Sequence, residues 1–148
     1  MEDRDPDVLL NHPLLDEQHA EVFRRIDALG DALRGPPEEV EAAASELADA
    51  LVTHLATEER IMDDTLYPER SRHRSAHELF MADFLQFRNR LRDEGPTADA
   101  RDWATRRIPE WLRFHITAND FPLGVYLARR AAKGLTSVPD SLGSRRPS

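Results

Sequence analysis

Apolar residues recur along this chain at alternating steps of three and four. In a first block the rule is followed by Leu15, His19, Val22, Ile26, Leu29 and Leu33, and in a second by Val40, Ala44, Leu47, Leu51, His54, Glu58 and Ile61. A third runs through His73, His77, Phe80, Phe84, Phe87 and Leu91. Steps of three and four trace the inward stripe of a bundle helix. Breakers separate the blocks: Gly35-Pro36-Pro37, Tyr67-Pro68 and Gly95-Pro96-Thr97. The pattern predicts a helix over about residues 13–34, with Pro13 well placed at a first helical position. A second follows to about residue 66 and a third to about residue 94. The fourth begins near residue 98 with Thr97 as its cap. It is less regular, since Pro109 either starts the main helix or kinks a longer one, and Pro122 interrupts it again. No strand pattern and no internal repeat appear. Short connections make neighbouring helices antiparallel, so the expected fold is an all-α, up-down-up-down four-helix bundle.

Ionisable side chains stand inside those stripes, and a bare histidine or carboxylate buried there costs several kcal/mol. His54-x-x-x-Glu58 and His73-x-x-x-His77 each put two such groups one turn apart on one face. Any one pair arises often by chance. Depth is the stronger signal. At 1.5 Å per residue, His19 and His54 both lie about 25 Å from the first turn. Glu58 and His77 sit about nine residues either side of the second break, and His77 and His115 about 18 either side of the third. Three connections therefore bring His19, His54, Glu58, His73, His77, His115 and Asp120 to one level, which points to a buried dinuclear metal site. His12 has no such register and reads as a helix-entry residue. Glu59, Asp63 and Asp64 read as a solvated face, and Trp111, Phe80, Phe84 and Phe87 as packing.

Composition narrows the chemistry. The 148 residues suit one domain, expected over residues 14–133, with an arm over 1–13 and a disordered tail over 134–148. The chain has no cysteine, so thiolate ligands and disulfides are excluded and any metal takes nitrogen and oxygen donors. A formal charge of −8 argues against nucleic acid as a partner. No apolar run is long enough for a membrane span and no secretory leader is visible, so a cytoplasmic location is expected. Five imidazoles and two carboxylates exceed the needs of one first-row ion. The Glu-x-x-His pairs of ferritin-like di-iron bundles are missing, and so is a His-Glu-x-x-His zinc helix. A carboxylate-bridged pair of irons remains, with manganese or zinc as other occupants.

Those residues carry a family resemblance. Leu15-Asp16-Glu17-Gln18-His19, His54-Leu55-Ala56-Thr57-Glu58-Glu59-Arg60-Ile61-Met62, Tyr67-Pro68 through His73 and His77, and Trp111-Leu112-Arg113-Phe114-His115 to Asp120-Phe121 resemble the hemerythrins, and more closely the bacterial ones. The resemblance spans about residues 14–130. It implies two irons joined by an oxo or hydroxo bridge, with O2 bound reversibly at one of them. It further implies that His73, His77 and His115 hold the coordinatively full iron, that His19 and His54 hold the open one, and that Glu58 and Asp120 bridge. Leu55, Leu112 and Ile116, as inward neighbours of ligands, are the expected O2-pocket residues. One departure from a regular helix stands out. Five residues turn an α-helix about 500°, so Asp120 shares a face with His115 only if the helix is locally under- or overwound there, and Pro122 should distort it. The expected function is O2 storage, delivery or sensing. The alternatives are a di-iron oxidoreductase acting on peroxide, nitric oxide or a small substrate, an iron-buffering module, and a signalling partner.

Overall fold

A computed structural model describes residues 9–134. Helix α1 spans Pro13–Ala32, α2 Pro37–Asp64 and α3 Arg70–Glu94. The fourth rod is one continuous run of five pieces. These are α4 (Ala98–Asp102), a π-helical turn (Trp103–Arg107), α5 (Ile108–His115), a second π-helical turn (Ile116–Asp120) and α6 (Phe121–Ala132). The ends obey local chemistry. His12 caps α1, its Nδ1 accepting from the Leu15 N–H at 3.3 Å, as a helix-entry residue would. Thr97 caps α4 by accepting from the Ala100 N–H at 3.1 Å. Gly95 ends α3 at φ 79, a left-handed conformation that favours glycine.

Cross-helix pairs fix the topology, because one residue number falls as the other rises at every seam. Gln18 meets Thr57 while Arg25 meets Glu46. His77 meets Glu58 while Arg88 meets Glu41. Trp111 stacks on Phe80 while Trp103 stacks on Phe87. The fourth rod returns to α1, with His19 against Asp120 and Gly30 so close to Thr105 that an added Cβ would stand 3.3 Å from its methyl. The chain is therefore an up-down-up-down antiparallel four-helix bundle.

Both π turns precede a proline, and that has a physical reason. A proline inside an α-helix has no N–H to donate and its ring collides with the carbonyl four residues back. Adding one residue to the preceding turn shifts the register and relieves the collision. In the second turn the Phe121 N–H reaches back to the Ile116 carbonyl, five residues away, with Pro122 next in line. In the first the Ile108 N–H reaches the Trp103 carbonyl, with Pro109 next. Pro109 thus neither starts nor breaks the rod.

The core runs the length of the bundle. Phe84, Phe87, Leu29, Leu47, Leu51 and Ile108 are buried at one end, and Leu15, Met62, Leu112, Ile116 and Leu123 nearer the other. Each such side chain contributes roughly 1.5–3 kcal/mol on burial. The lead-in is tied down as well: the Leu10 and His12 N–H groups donate to the two Asp16 carboxylate oxygens at 2.7 and 3.1 Å. Leu10 lies over Gly124, where a Cβ would come within 3.3 Å of the Leu10 Cβ. Expectations for residues 1–8 and 135–148 lie outside the described residues.

Candidate metal centre

The structure brings together all seven residues picked out by depth. His19 comes from α1, His54 and Glu58 from α2, His73 and His77 from α3, His115 from α5 and Asp120 from the second π turn. All are buried. The π turn does for Asp120 what a regular helix would not. Widening the turn between residues 116 and 120 carries the carboxylate round to the His115 face, where Asp120 Oδ1 lies 3.1 Å from His115 Nε2.

The two carboxylates divide the cluster. Glu58 Oε1 stands 3.2 Å from His73 Nε2 and 3.1 Å from His77 Nε2. Its other oxygen, Oε2, stands 3.4 Å from His54 Nε2 and 3.8 Å from His19 Nε2. Asp120 repeats the division, with Oδ1 2.9 Å from His73 Nε2 and Oδ2 2.9 Å from His19 Nε2. Two sets of converging donor atoms result, each within 4.8 Å. One takes Glu58, His73, His77, His115 and Asp120, and the other His19, His54, Glu58 and Asp120.

The donor chemistry fits a pair of cations. His115 Nε2 lies 3.2 Å from His73 Nε2 and 3.1 Å from His77 Nε2, so three ring nitrogens face one another. Their lone pairs repel unless a proton or a metal stands between them. His54 Nε2, Glu58 Oε2 and Asp120 Oδ1 are buried at this level without a hydrogen bond, although His73 Nε2 approaches Asp120 Oδ1 closely. Unsatisfied buried acceptors are costly, and a shared cation satisfies them at once.

Protonation responds to the same crowding. Burial is the largest influence on His19 and opposes its charged form. The hydrogen bond to Asp120 and the nearby Glu58 carboxylate, with the charges of both, outweigh it and raise the imidazole to about 9. His73 is raised to about 9 against the same opposition, and His115 is raised too. Burial alone would raise Glu58 and Asp120, but the surrounding histidines hold both carboxyls below the usual range.

A further layer stands behind the imidazoles. Gln18 Oε1 is 3.0 Å from His54 Nδ1, Glu59 Oε2 is 3.0 Å from His77 Nδ1, and the Asn119 side-chain amide is 3.1 Å from His115 Nδ1. Glu59 corrects the sequence reading of a solvated face, because only 30% of its side chain is exposed and it holds a histidine of the cluster. Asp63, expected on the same face, does lie exposed and pairs with Arg74. Trp111 is more than packing, since its ring stacks on His115 at 4.7 Å and 13°. Leu55, Leu112 and Ile116 are all buried core residues. No helix among the described residues is long and apolar enough to cross a membrane.

Comparison with known proteins agrees with this geometry. Residues 11–124 match the family model described as the Hemerythrin HHE cation binding domain. The chain is 31% identical over 108 residues to a bacteriohemerythrin of Pseudomonas paraeruginosa (strain DSM 24068 / PA7), covering 72% of this chain and 69% of that one. A bacteriohemerythrin of Pseudomonas aeruginosa (strain LESB58) aligns with the same identity and coverage. One of Stenotrophomonas maltophilia (strain R551-3) is 25% identical over 115 residues, 77% of this chain and 73% of that one. With the cluster, the bundle and these relatives in agreement, the chain belongs to the hemerythrin family.

Proposed function

We propose that this chain is a non-haem di-iron protein that binds O2 reversibly, serving oxygen storage, delivery or sensing. Its domain takes residues 14–133. His73, His77 and His115 hold one iron, His19 and His54 hold the other, and Glu58 and Asp120 span both. The observation that carries this reading is the inequality of the two donor sets, five residues against four. The smaller set would give a cation one protein ligand fewer than the larger set gives its neighbour, which would leave room for a small ligand there. A pair of ferrous ions held in this way would supply reversible O2 binding.

The chain's own residues do the rest. Each carboxylate turns one oxygen toward each set, so that Glu58 and Asp120 would be shared by both ions. Gln18 turns His54 so that Nε2 faces inward, and Glu59 does the same for His77. Leu55, Leu112 and Ile116 line the O2 side and exclude water and proton donors, which favours release of O2 over onward chemistry. Arg113, a side chain that could otherwise bring water inward, lays its guanidinium over the Phe23 ring at 5.0 Å. That closure favours a carrier or sensor over an oxidoreductase.

Iron analysis combined with visible spectra tests the reading. Reduced protein is compared before air, after air and after argon purging. Two irons per chain and a coloured form that disappears on purging are expected. Anaerobic reconstitution that never exceeds one iron per chain would defeat the dinuclear assignment. Irreversible bleaching, or turnover with peroxide, would replace the carrier with an enzyme.

A further inference from the structure

We infer that Glu59 is a positioning residue for His77, and that it gives the three-histidine set a charged hydrogen-bond acceptor where the two-histidine set has a neutral one. The inference rests on the metal reading above and concerns which residues make the two halves unequal beyond their donor count.

Consecutive helical residues point about 100° apart. Glu58 therefore faces the bundle axis while Glu59 falls at the α2–α3 seam, beside the back edge of His77. Glu59 Oε2 lies 3.0 Å from His77 Nδ1, and its Oε1 faces Arg74 Nε at 3.4 Å. Arg74 is held in turn by Asp63 Oδ2 at 3.1 Å. His77 Nε2 is committed to the cluster, 3.1 Å from both Glu58 Oε1 and His115 Nε2. When Nε2 gives its lone pair to a cation, the ring proton must reside on Nδ1, from which it is donated in a hydrogen bond to the Glu59 carboxylate. A carboxylate in that place strengthens the imidazole as a donor.

His54 is held by a different chemistry. Thr57 Oγ1 donates to the Thr53 carbonyl at 2.8 Å, so it must accept from Gln18 Nε2 at 3.2 Å. That fixes the amide orientation and leaves the neutral Gln18 Oε1 facing His54 Nδ1 at 3.0 Å. The ring nitrogens His19 Nδ1 and His73 Nδ1, by contrast, have no hydrogen-bond partner. Among the described residues, Glu59 is thus the one carboxylate bonded to the back of an imidazole in the cluster. Its partial exposure to solvent moderates the effect without abolishing it.

Zn2+ loaded into the full chain provides a test that does not depend on O2. Affinity is read by chelator competition for wild type, Glu59→Ala, Glu59→Gln and Asp63→Asn, and the His77 ring proton is followed by NMR in the loaded protein. Wild type is expected to take two Zn2+ and to show a slowly exchanging, downfield Nδ1–H on His77. Glu59→Ala should weaken binding of the more affected ion by about 10–100-fold and lose that protection. Glu59→Gln, which keeps an acceptor and removes the charge, should lose less affinity and retain the protected proton. Asp63→Asn loosens only the surface pair and should stay within about twofold of wild type. Wild-type affinity in Glu59→Ala with the proton still protected overturns the inference, as does a loss in Asp63→Asn equal to that in Glu59→Ala. Should Glu59→Ala fail to fold, Glu59→Gln decides, and wild-type affinity there overturns the role of the charge. A wild-type chain that takes up fewer than two Zn2+ overturns the metal reading itself, and this inference with it.

Discussion

At one end of the bundle the inward stripe is filled by Leu29, Leu47, Phe84, Phe87 and Ile108, and every one of these is almost fully buried. About two to three turns further along the same helices, the stripe holds His19, His54, Glu58, His73 and His77 at the same degree of burial. The apolar end stabilises itself, since each side chain gains by leaving water and asks nothing of its neighbours beyond shape. The polar end does not. Its members are held by mutual hydrogen bonds that depend on protonation, and three acceptor atoms there go unsatisfied. One repeat therefore builds both a core and a site. The difference is that the site's contribution to stability is conditional on what occupies it.

The largest effect tests the self-sufficient end. Phe84→Ala removes a ring with no exposure that contacts Phe80 and Phe87. It should cost about 3–5 kcal/mol, which for a chain of this size lowers the melting temperature by on the order of 10 °C. Metal uptake per chain, measured on the same variant below its melting point, should match wild type. Coupled loss of metal would mean that the two ends are one unit. Next comes metal removal. With free ion at a hundred times its dissociation constant, chelation should remove about 2.7 kcal/mol. The loosening should be local: hydrogen exchange is expected to quicken around His54 and His115 and to change little around Phe87. A melting temperature indifferent to complete chelation would dissolve the contrast.

These two ends were not equally legible in the sequence. The apolar end could be read from spacing alone, because burial there needs only the right residue type every three or four positions. The seven site residues could be read too, since charged groups stand out on an apolar stripe and chain length fixes their depth. The unusual turn before Pro122 was foreseen because Asp120 had no other way onto the His115 face. Its counterpart at Trp103–Arg107 was not, as no functional residue there demanded it. Gln18, Glu59 and Asn119 were harder. Each lies next to a residue of the cluster in sequence, but whether such a neighbour turns into a seam or out to solvent depends on the packing of the adjacent helix. Glu59 looked like any surface glutamate because α3 is what brings His77 to it.

The pH dependence sharpens the conditional character of the site. In the metal-free chain His19 and His73 keep their protons up to about 9, against an ordinary value of 6.5. Their raised values stabilise the fold fully below about 6.5, and that stabilisation is lost as pH climbs through about 9. Glu58 and Asp120 act in the opposite direction, their contribution being present above the ordinary carboxylate range and lost on acidification. A bound ion requires unprotonated Nε2 atoms and competes with those protons. The melting temperature of the metal-free chain should therefore fall between pH 6.5 and 9 while that of the loaded chain holds. Scans across that interval should show the gap between them widening, and a gap that narrows would reverse the assignment of charge within the cluster.

The smallest change in stability accompanies the most specific test of function. Ile116 is fully buried in the second π turn, one residue after His115, and Leu112 lies one turn before it. Ile116→Val should cost about 0.5–1.5 kcal/mol and leave the surroundings apolar. Ile116→Thr has nearly the same volume, and its hydroxyl can return to the Leu112 carbonyl as that of Thr117 does to Arg113 at 2.9 Å, so its added cost should be modest. What it changes is the company it offers to water at the proposed O2 side. Iron content should stay at the wild-type level in both variants, since Ile116 belongs to neither donor set. Repeated cycles of air and argon should exhaust the reversible spectral change several times faster in Ile116→Thr than in Ile116→Val, and Leu112→Thr should behave like the former. Leu91→Val, at the self-sufficient end, carries a comparable packing loss and should leave the cycling rate at the wild-type value. If the Val and Thr variants at Ile116 cycle alike while Leu91→Val does not, dryness around residues 112–116 has no bearing on O2 release and the O2 side must lie against another face of the cluster.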